Sequence, residues 1–180
     1  MKLKAYKKPL FWGAIVVVAV LLVVVLSLMT ASKEITLPES AYTNDEEMPY
    51  LYVYNVKEPT ELIELQARTY SKEFKENGQV MGVEATGLGA IDERANHPEA
   101  GVVEGQHFKI ACVIPGDSFT LREYDMHGKN SPSDPVEYEY GDAFTLKEGC
   151  IYEFHVTWNE ENLEENEFYG NAYYFISTMK

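Results

Sequence analysis

From Leu10 to Met29 the chain reads LFWGAIVVVAVLLVVVLSLM, 20 residues without a charge. At about 1.5 Å per residue, a helix of that length reaches roughly 30 Å, the hydrocarbon thickness of a bilayer. A Val-rich segment of this kind makes a poor helix in water. In lipid every backbone N–H and C=O must be satisfied within the segment, so helix is the only structure open to a lone span. Lys2, Lys4, Lys7 and Lys8 precede the run, whereas Lys33 and Glu34 follow it. The positive-inside bias therefore predicts a basic cytoplasmic tail at residues 1–9, a transmembrane helix at 10–29 and everything beyond it outside. A cleaved signal peptide is the competing reading, but its apolar region runs only about 7–15 residues. Met29 is also bulky where a cleavage site before Ser32 wants a small residue. No Cys stands near the end of the run, which excludes a lipoprotein anchor. The expectation is an uncleaved signal-anchor in the cell membrane.

Outside the membrane the chain is strongly acidic. Setting aside the four lysines of the tail, 11 basic residues face 29 acidic ones, a formal charge of −18. Such a surface repels nucleic acid, anionic polymers and anionic lipid heads, and leaves neutral, cationic or metallic partners open. Its simplest use is to keep an exported domain soluble. Residues 30–48, with Pro38, Ser40, Asn44 and the run Asp45-Glu46-Glu47, read as an acidic linker, with one strand at Ile35–Leu37.

From Pro49 to the end, residues 49–180, the pattern is mostly of period two. Tyr50, Tyr52 and Tyr54 alternate with Leu51 and Val53; Ile63, Leu65, Ala67 and Thr69 alternate with Glu64, Gln66, Arg68 and Tyr70. A helix over Glu61–Phe74 is the alternative for the second stretch, since Leu and Glu both tolerate one. Phe108, Ile110, Cys112 and Ile114 share a face, Pro115-Gly116-Asp117 makes a turn, Phe119 and Leu121 resume, and His127-Gly128 turns again. In Ile151–Trp158 the residues Tyr152, Phe154, Val156 and Trp158 fall on one side and Glu153, His155 and Thr157 on the other. Phe168–Thr178 is apolar on both faces, as a central strand would be. Seven to nine short strands with such turn spacing predict an all-β antiparallel β-sandwich of immunoglobulin/fibronectin type. Leu146-Lys-Glu-Gly149-Cys-Ile-Tyr152 sharpens it, because its spacing is that of the tyrosine corner, with Glu148 where fibronectin type III domains carry Pro. An ordinary core aromatic is the other reading of Tyr152.

Ile63-Glu-Leu-Gln-Ala-Arg-Thr-Tyr-Ser71, Ala90-Ile-Asp-Glu-Arg-Ala-Asn-His-Pro98, Ile151–Trp158 and Tyr169-Gly-Asn-Ala-Tyr-Tyr-Phe175 together carry a family resemblance. The domain resembles an uncharacterised extracytoplasmic β-sandwich domain of Gram-positive, clostridial-type anchored proteins and lipoproteins. It is similar to segments attached to membrane metallopeptidases of the antirepressor type. The resemblance implies location and architecture, and brings no ligand or catalytic residue. The chain departs from it at Lys72, where the pattern has Trp, and in lacking the lipoprotein Cys.

No catalytic constellation emerges. His97, His107, His127 and His155 are scattered, with no HExxH and no metal-ligand spacing, and His155 lies on a predicted wet face. There is no G-x-S-x-G and no phosphate-binding loop; Gly87-Leu-Gly89 leads into acidic residues. Asn159–Glu167 offers hard oxygen ligands to calcium but lacks EF-hand spacing, and an acidic loop that blocks edge pairing explains it equally well. No cofactor and no metal site are expected. The Tyr50, Tyr52, Tyr54 stripe is the candidate binding feature: side chains two apart on a strand stand about 6.6 Å apart, close enough for a stacking platform under a neutral glycan or a peptide. Packing in a second apolar layer is its structural alternative.

A membrane-anchored, non-catalytic binding or sensing module fits these features best. The alternatives are an inhibitor or assembly partner of another membrane protein, and an exported hydrolase. A cytoplasmic tail of nine residues hosts no signalling domain, so a sensor would report through a membrane partner. Finally, Cys112 and Cys150 sit on predicted core faces in a compartment where disulfides persist. If Phe108 and Cys150 start their strands level, Cys112 lies four residues too far along, about 13 Å away, against the roughly 7 Å between Cα atoms that a disulfide tolerates. Two free, buried thiols are expected.

Overall fold

The computed structural model describes residues 35–38, 48–87, 89–91, 94–127 and 130–178. The predicted tail, the transmembrane helix at 10–29 and most of the linker lie outside the described residues. Among those described, no helix is long and apolar enough to cross a membrane. Residues 35–38 form no strand, so the one expected at Ile35–Leu37 is absent.

The domain is all-β, with two sheets whose apolar faces form one core. β1 (Leu51–Asn55) is the middle strand of a three-stranded sheet, between β2 (Glu58–Leu65) and β6 (Phe108–Cys112). The other sheet runs β4 (Gln79–Ala85), β3 (Thr69–Glu76), β10 (Phe168–Thr178), β9 (Cys150–Trp158), β7 (Ser118–Asp125), β8 (Val136–Glu139). All these pairs are antiparallel; the two-residue β5 (Glu99–Ala100) lies parallel to the end of β10 and is the seventh strand. Leu51, Val53, Leu65, Ile110 and Cys112 from the smaller sheet meet Phe119, Phe154, Val156, Trp158, Tyr174 and Ile176 from the larger one. The two alternations read for Phe108–Cys112 and Ile151–Trp158 point inward as expected.

The stretch read as one strand through Ile63–Thr69 is broken. β2 ends at Leu65 in the small sheet, and β3 begins at Thr69 in the large one. Residues 66–68 carry the chain across, and the Arg68 N–H bonds the Tyr173 carbonyl at 2.9 Å. No helix forms over Glu61–Phe74. Lys72 is buried on the inner face of β3 with its ammonium 5.1 Å from the Phe168 ring centre. That distance is within cation–π range.

Long-range hydrogen bonds tie the strand ends. The Trp158 indole N–H donates to the Ile114 carbonyl (3.0 Å), and the Tyr174 hydroxyl to that of Pro49 (2.7 Å). Thr178 Oγ1 donates to the Lys147 carbonyl (2.7 Å) and accepts the Cys150 N–H (3.0 Å).

Candidate functional site

The tyrosine stripe is not an open platform. Tyr52 is 1% exposed and Tyr54 9%, while Tyr50 is half-buried. β1 is paired on both edges, so its outward side chains stand in rows with Glu64 and Ala111, and with Leu62 and Lys109. Tyr52 donates to a Glu64 carboxylate oxygen at 3.1 Å. Burial raises the Tyr54 phenol above its ordinary pKa.

The larger sheet offers a different surface on the side away from the core. Here β7 contributes Thr120, Arg122 and Tyr124, β9 contributes Glu153 and His155, and β10 contributes Asn171, Tyr173 and Phe175. Register sets the rows: Thr120–His155–Tyr173 in one and Arg122–Glu153–Phe175 in the next. The His155 imidazole stacks on the Tyr173 ring, centres 4.3 Å apart and planes 10° from parallel. Tyr124 donates to Glu153 at 2.9 Å, and Arg122 lies 3.7 Å from the same carboxylate. Burial lowers the His155 pKa and favours the neutral imidazole, opposed by a hydrogen bond to Asn171 and by the Glu153 charge. His155 had been placed on a wet face; the stack and the long neighbouring side chains half-bury it instead.

Two nitrogen atoms on this face are shut off from water without a hydrogen-bond partner, Arg122 Nε and His155 Nε2. Each such atom costs about 1–3 kcal/mol when left unmade. Arg122 Nε can only donate, and His155 Nε2 donates or accepts according to tautomer.

Residues 89–91 and 94–98 rim one end of the face. Ala90 packs with Ile151 and Phe175 in a small second core, against Ile91, Tyr124 and Tyr173. His97 stacks on Phe175 at 5.2 Å and its Nε2 lies 2.7 Å from the Ala90 carbonyl. A shallow cleft of about 160 Å³ opens there, lined by Glu64, Gln66, Arg68, Asn96, Pro98 and Phe175. His107 and His127 are exposed elsewhere, and among the described residues no group of three or more His, Cys, Asp or Glu is placed to hold a metal. Asp117, in the turn before β7, accepts the Asn159 N–H (2.6 Å) and the Asn162 side-chain amide (2.5 Å) of the acidic loop.

At the start of β9 the tyrosine-corner spacing forms a hydrogen-bonded corner. The Tyr152 hydroxyl accepts the Lys147 N–H at 2.8 Å and donates to Glu123 at 2.9 Å, while Lys147 Nζ is paired with Glu123 at 2.9 Å. Both cysteines are free, but only Cys112 is fully buried; Cys150 is half-exposed at the start of β9. They belong to different sheets. Cys112 stands beside Tyr174, whereas Cys150 bonds Thr178, four residues further along β10. Burial pushes the Cys112 thiol up to about 12 and raises Cys150 as well. Since thiolate is the reactive form, a maleimide at pH 7 is expected to modify Cys150 slowly and Cys112 only after denaturation. Mass analysis of native and denatured protein reads this directly; an unreduced mass two hydrogens light would reveal a bridge.

No family model, no curated protein and no solved structure matches the chain.

Proposed function

We propose that the chain is a non-catalytic binding module, held at the cell membrane by a single span, that presents the outer face of its larger sheet to a neutral glycan. The observation that carries this reading is the half-buried stack of His155 on Tyr173 with the partly exposed Arg122 guanidinium in the next row. Sugar hydroxyls suit a guanidinium donor, and sugar C–H faces suit aromatic rings such as Tyr173. The −18 formal charge disfavours polyanionic ligands.

The sandwich reads as immunoglobulin/fibronectin-like. Support comes from the order β8-β7-β9-β10, from the bridge between Phe144 and Phe108 where a further strand would join β6, and from the corner at Tyr152. The resemblance to extracytoplasmic domains of anchored proteins supports the location.

The full chain in detergent micelles, titrated calorimetrically with uncharged oligosaccharides, should bind at least one of them. Arg122→Gln and His155→Ala should each weaken that binding at least tenfold while leaving the melting temperature within a few degrees. Absence of binding across the series, or binding that both variants retain, would remove the glycan reading. Topology is tested separately: protease added to intact protoplasts should digest the domain, and a soluble fragment beginning near Thr30 to Ser32 in the medium would defeat the uncleaved anchor.

A further inference from the structure

Strand β4 is an edge, and it is exposed on both faces. Every residue from Gln79 to Glu84 is exposed, with Val80 at 56%, Met81 at 44% and Val83 at 37%. A long edge strand of this kind offers unpaired N–H and C=O groups to any extended chain, and proteins blunt such edges with Lys, Pro or a bulge. None of these devices is present here. Gln79-Val-Met-Gly-Val-Glu-Ala85 contains neither Lys nor Pro, and its pairing with β3 runs unbroken from Tyr70–Ala85 to Glu76–Gln79. The other edge differs: β8 carries Glu137 and Glu139, and Pro132 and Pro135 precede it.

The geometry points to a second copy of this chain as the partner of β4, paired antiparallel about a two-fold axis through Gly82. Gly82 is the central residue of the strand, so this axis leaves all seven residues paired. Sheet faces match only when partners share parity, which this register satisfies. Met81 then stands opposite the partner's Val83, extending the inner-face rows that already hold Phe74 beside Met81 and Lys72 beside Val83. On the outer face Val80 stands opposite the partner's Glu84. Because Lys75 neighbours Val80 within its own chain, each Glu84 gains a lysine one strand further on. Both rows occur twice by symmetry, as an isologous interface requires. β4 itself has one carboxylate in an otherwise strongly acidic domain, so like charge along this edge is low. A single edge-to-edge ladder is small beside standard interfaces, so the association is weak in solution and favoured where two anchored copies share a membrane.

The test uses the full chain in detergent micelles, by sedimentation equilibrium and by oxidative cross-linking. A reversible monomer–dimer equilibrium should appear and strengthen as salt rises, because screening relieves repulsion between two acidic domains. Met81→Lys with Val83→Lys should weaken it at least tenfold without altering the fold, since both side chains are exposed. Gly82→Cys should cross-link to a covalent dimer above the level of the parent chain, its two copies meeting at the axis within disulfide reach. Val80→Cys alone should do so at least tenfold more slowly, since its mate is Glu84. A chain monomeric at all concentrations and salts would overturn the proposal. So would a dimer indifferent to the lysine pair, or one that weakens as salt rises, the sign of association through unlike charges elsewhere on the domain.

Discussion

Tyr152→Ala is expected to destabilise the domain by about 3–5 kcal/mol, near the upper end for a single core truncation. The ring is 2% exposed and belongs to the main core. It stands on β9 between Glu123 of β7 and Ile176 of β10, so the cavity left behind has well-paired strands on both sides and little freedom to collapse. Tyr152→Phe separates the ring from its hydroxyl. It keeps the packing but strands the Lys147 N–H and removes one of two partners of a Glu123 oxygen that Lys147 Nζ still holds, and should cost about 1–2 kcal/mol, since one of the two lost bonds is to a charged group. Burial also raises the phenol well above its ordinary pKa. For an acid raised on folding, the stabilisation is complete below the unfolded value near 10 and is lost as pH rises above it. Alkaline unfolding of the parent should therefore begin above about pH 10 and be shifted upward in Tyr152→Phe. Urea midpoints at pH 7 and 10.5 measure both effects; equal stability of parent and Tyr152→Phe would mean that the corner hydrogen bonds contribute nothing.

The alternation along β9 and β6 was enough to place their inner faces, because a buried apolar stripe opposite a polar one fits only one orientation of a strand. It failed at Gln66–Arg68 for a physical reason. Period two continues unbroken from Ile63 to Thr69, and no Gly or Pro marks the place where the chain changes sheets. The β3–β4 hairpin did carry a signal that alternation passes over: Asn77-Gly78, with φ of 51° and 79°, between Glu76 and Gln79. Asn-Gly is the preferred pair for a two-residue turn with both φ positive, but the charged residues Lys72, Glu73, Lys75 and Glu76 mask the strand that leads into it. Whether Tyr52 and Tyr54 are exposed or packed stays open in the sequence because one strand cannot show that it lies between two others. His155 is the same case in reverse. Its stack on Tyr173 and its closeness to Arg122 depend on the register of three strands, and local sequence holds no trace of either.

Gly170→Ala should be at least as damaging as the loss of a core ring, with an expected cost above about 3 kcal/mol. Gly170 lies in β10 opposite Trp158 on one side and Lys72 on the other, with φ of 149°. That value is one that L side chains rarely adopt. A Cβ there would sit 2.0 Å from the Ser71 carbonyl oxygen, 2.9 Å from its carbon and 3.1 Å from the Lys72 Cα. All three are backbone atoms, so no rotamer change relieves the overlap, and β3 must move off β10. The movement would strike where the Trp158 and Phe168 rings pack 5.5 Å apart and where Lys72 rests over Phe168. It would also loosen the hairpin that ends in the β4 edge. Gly101→Ala is the control, since a Cβ at Gly101 meets nothing within 4 Å and its φ is ordinary. Urea unfolding of the two variants should differ by several kcal/mol, and hydrogen exchange in Gly170→Ala should show β3 and β4 losing protection before β7 and β9. A Gly170→Ala protein within about 1 kcal/mol of the parent, with β3 still protected, would show that β10 and β3 have room to part without loss.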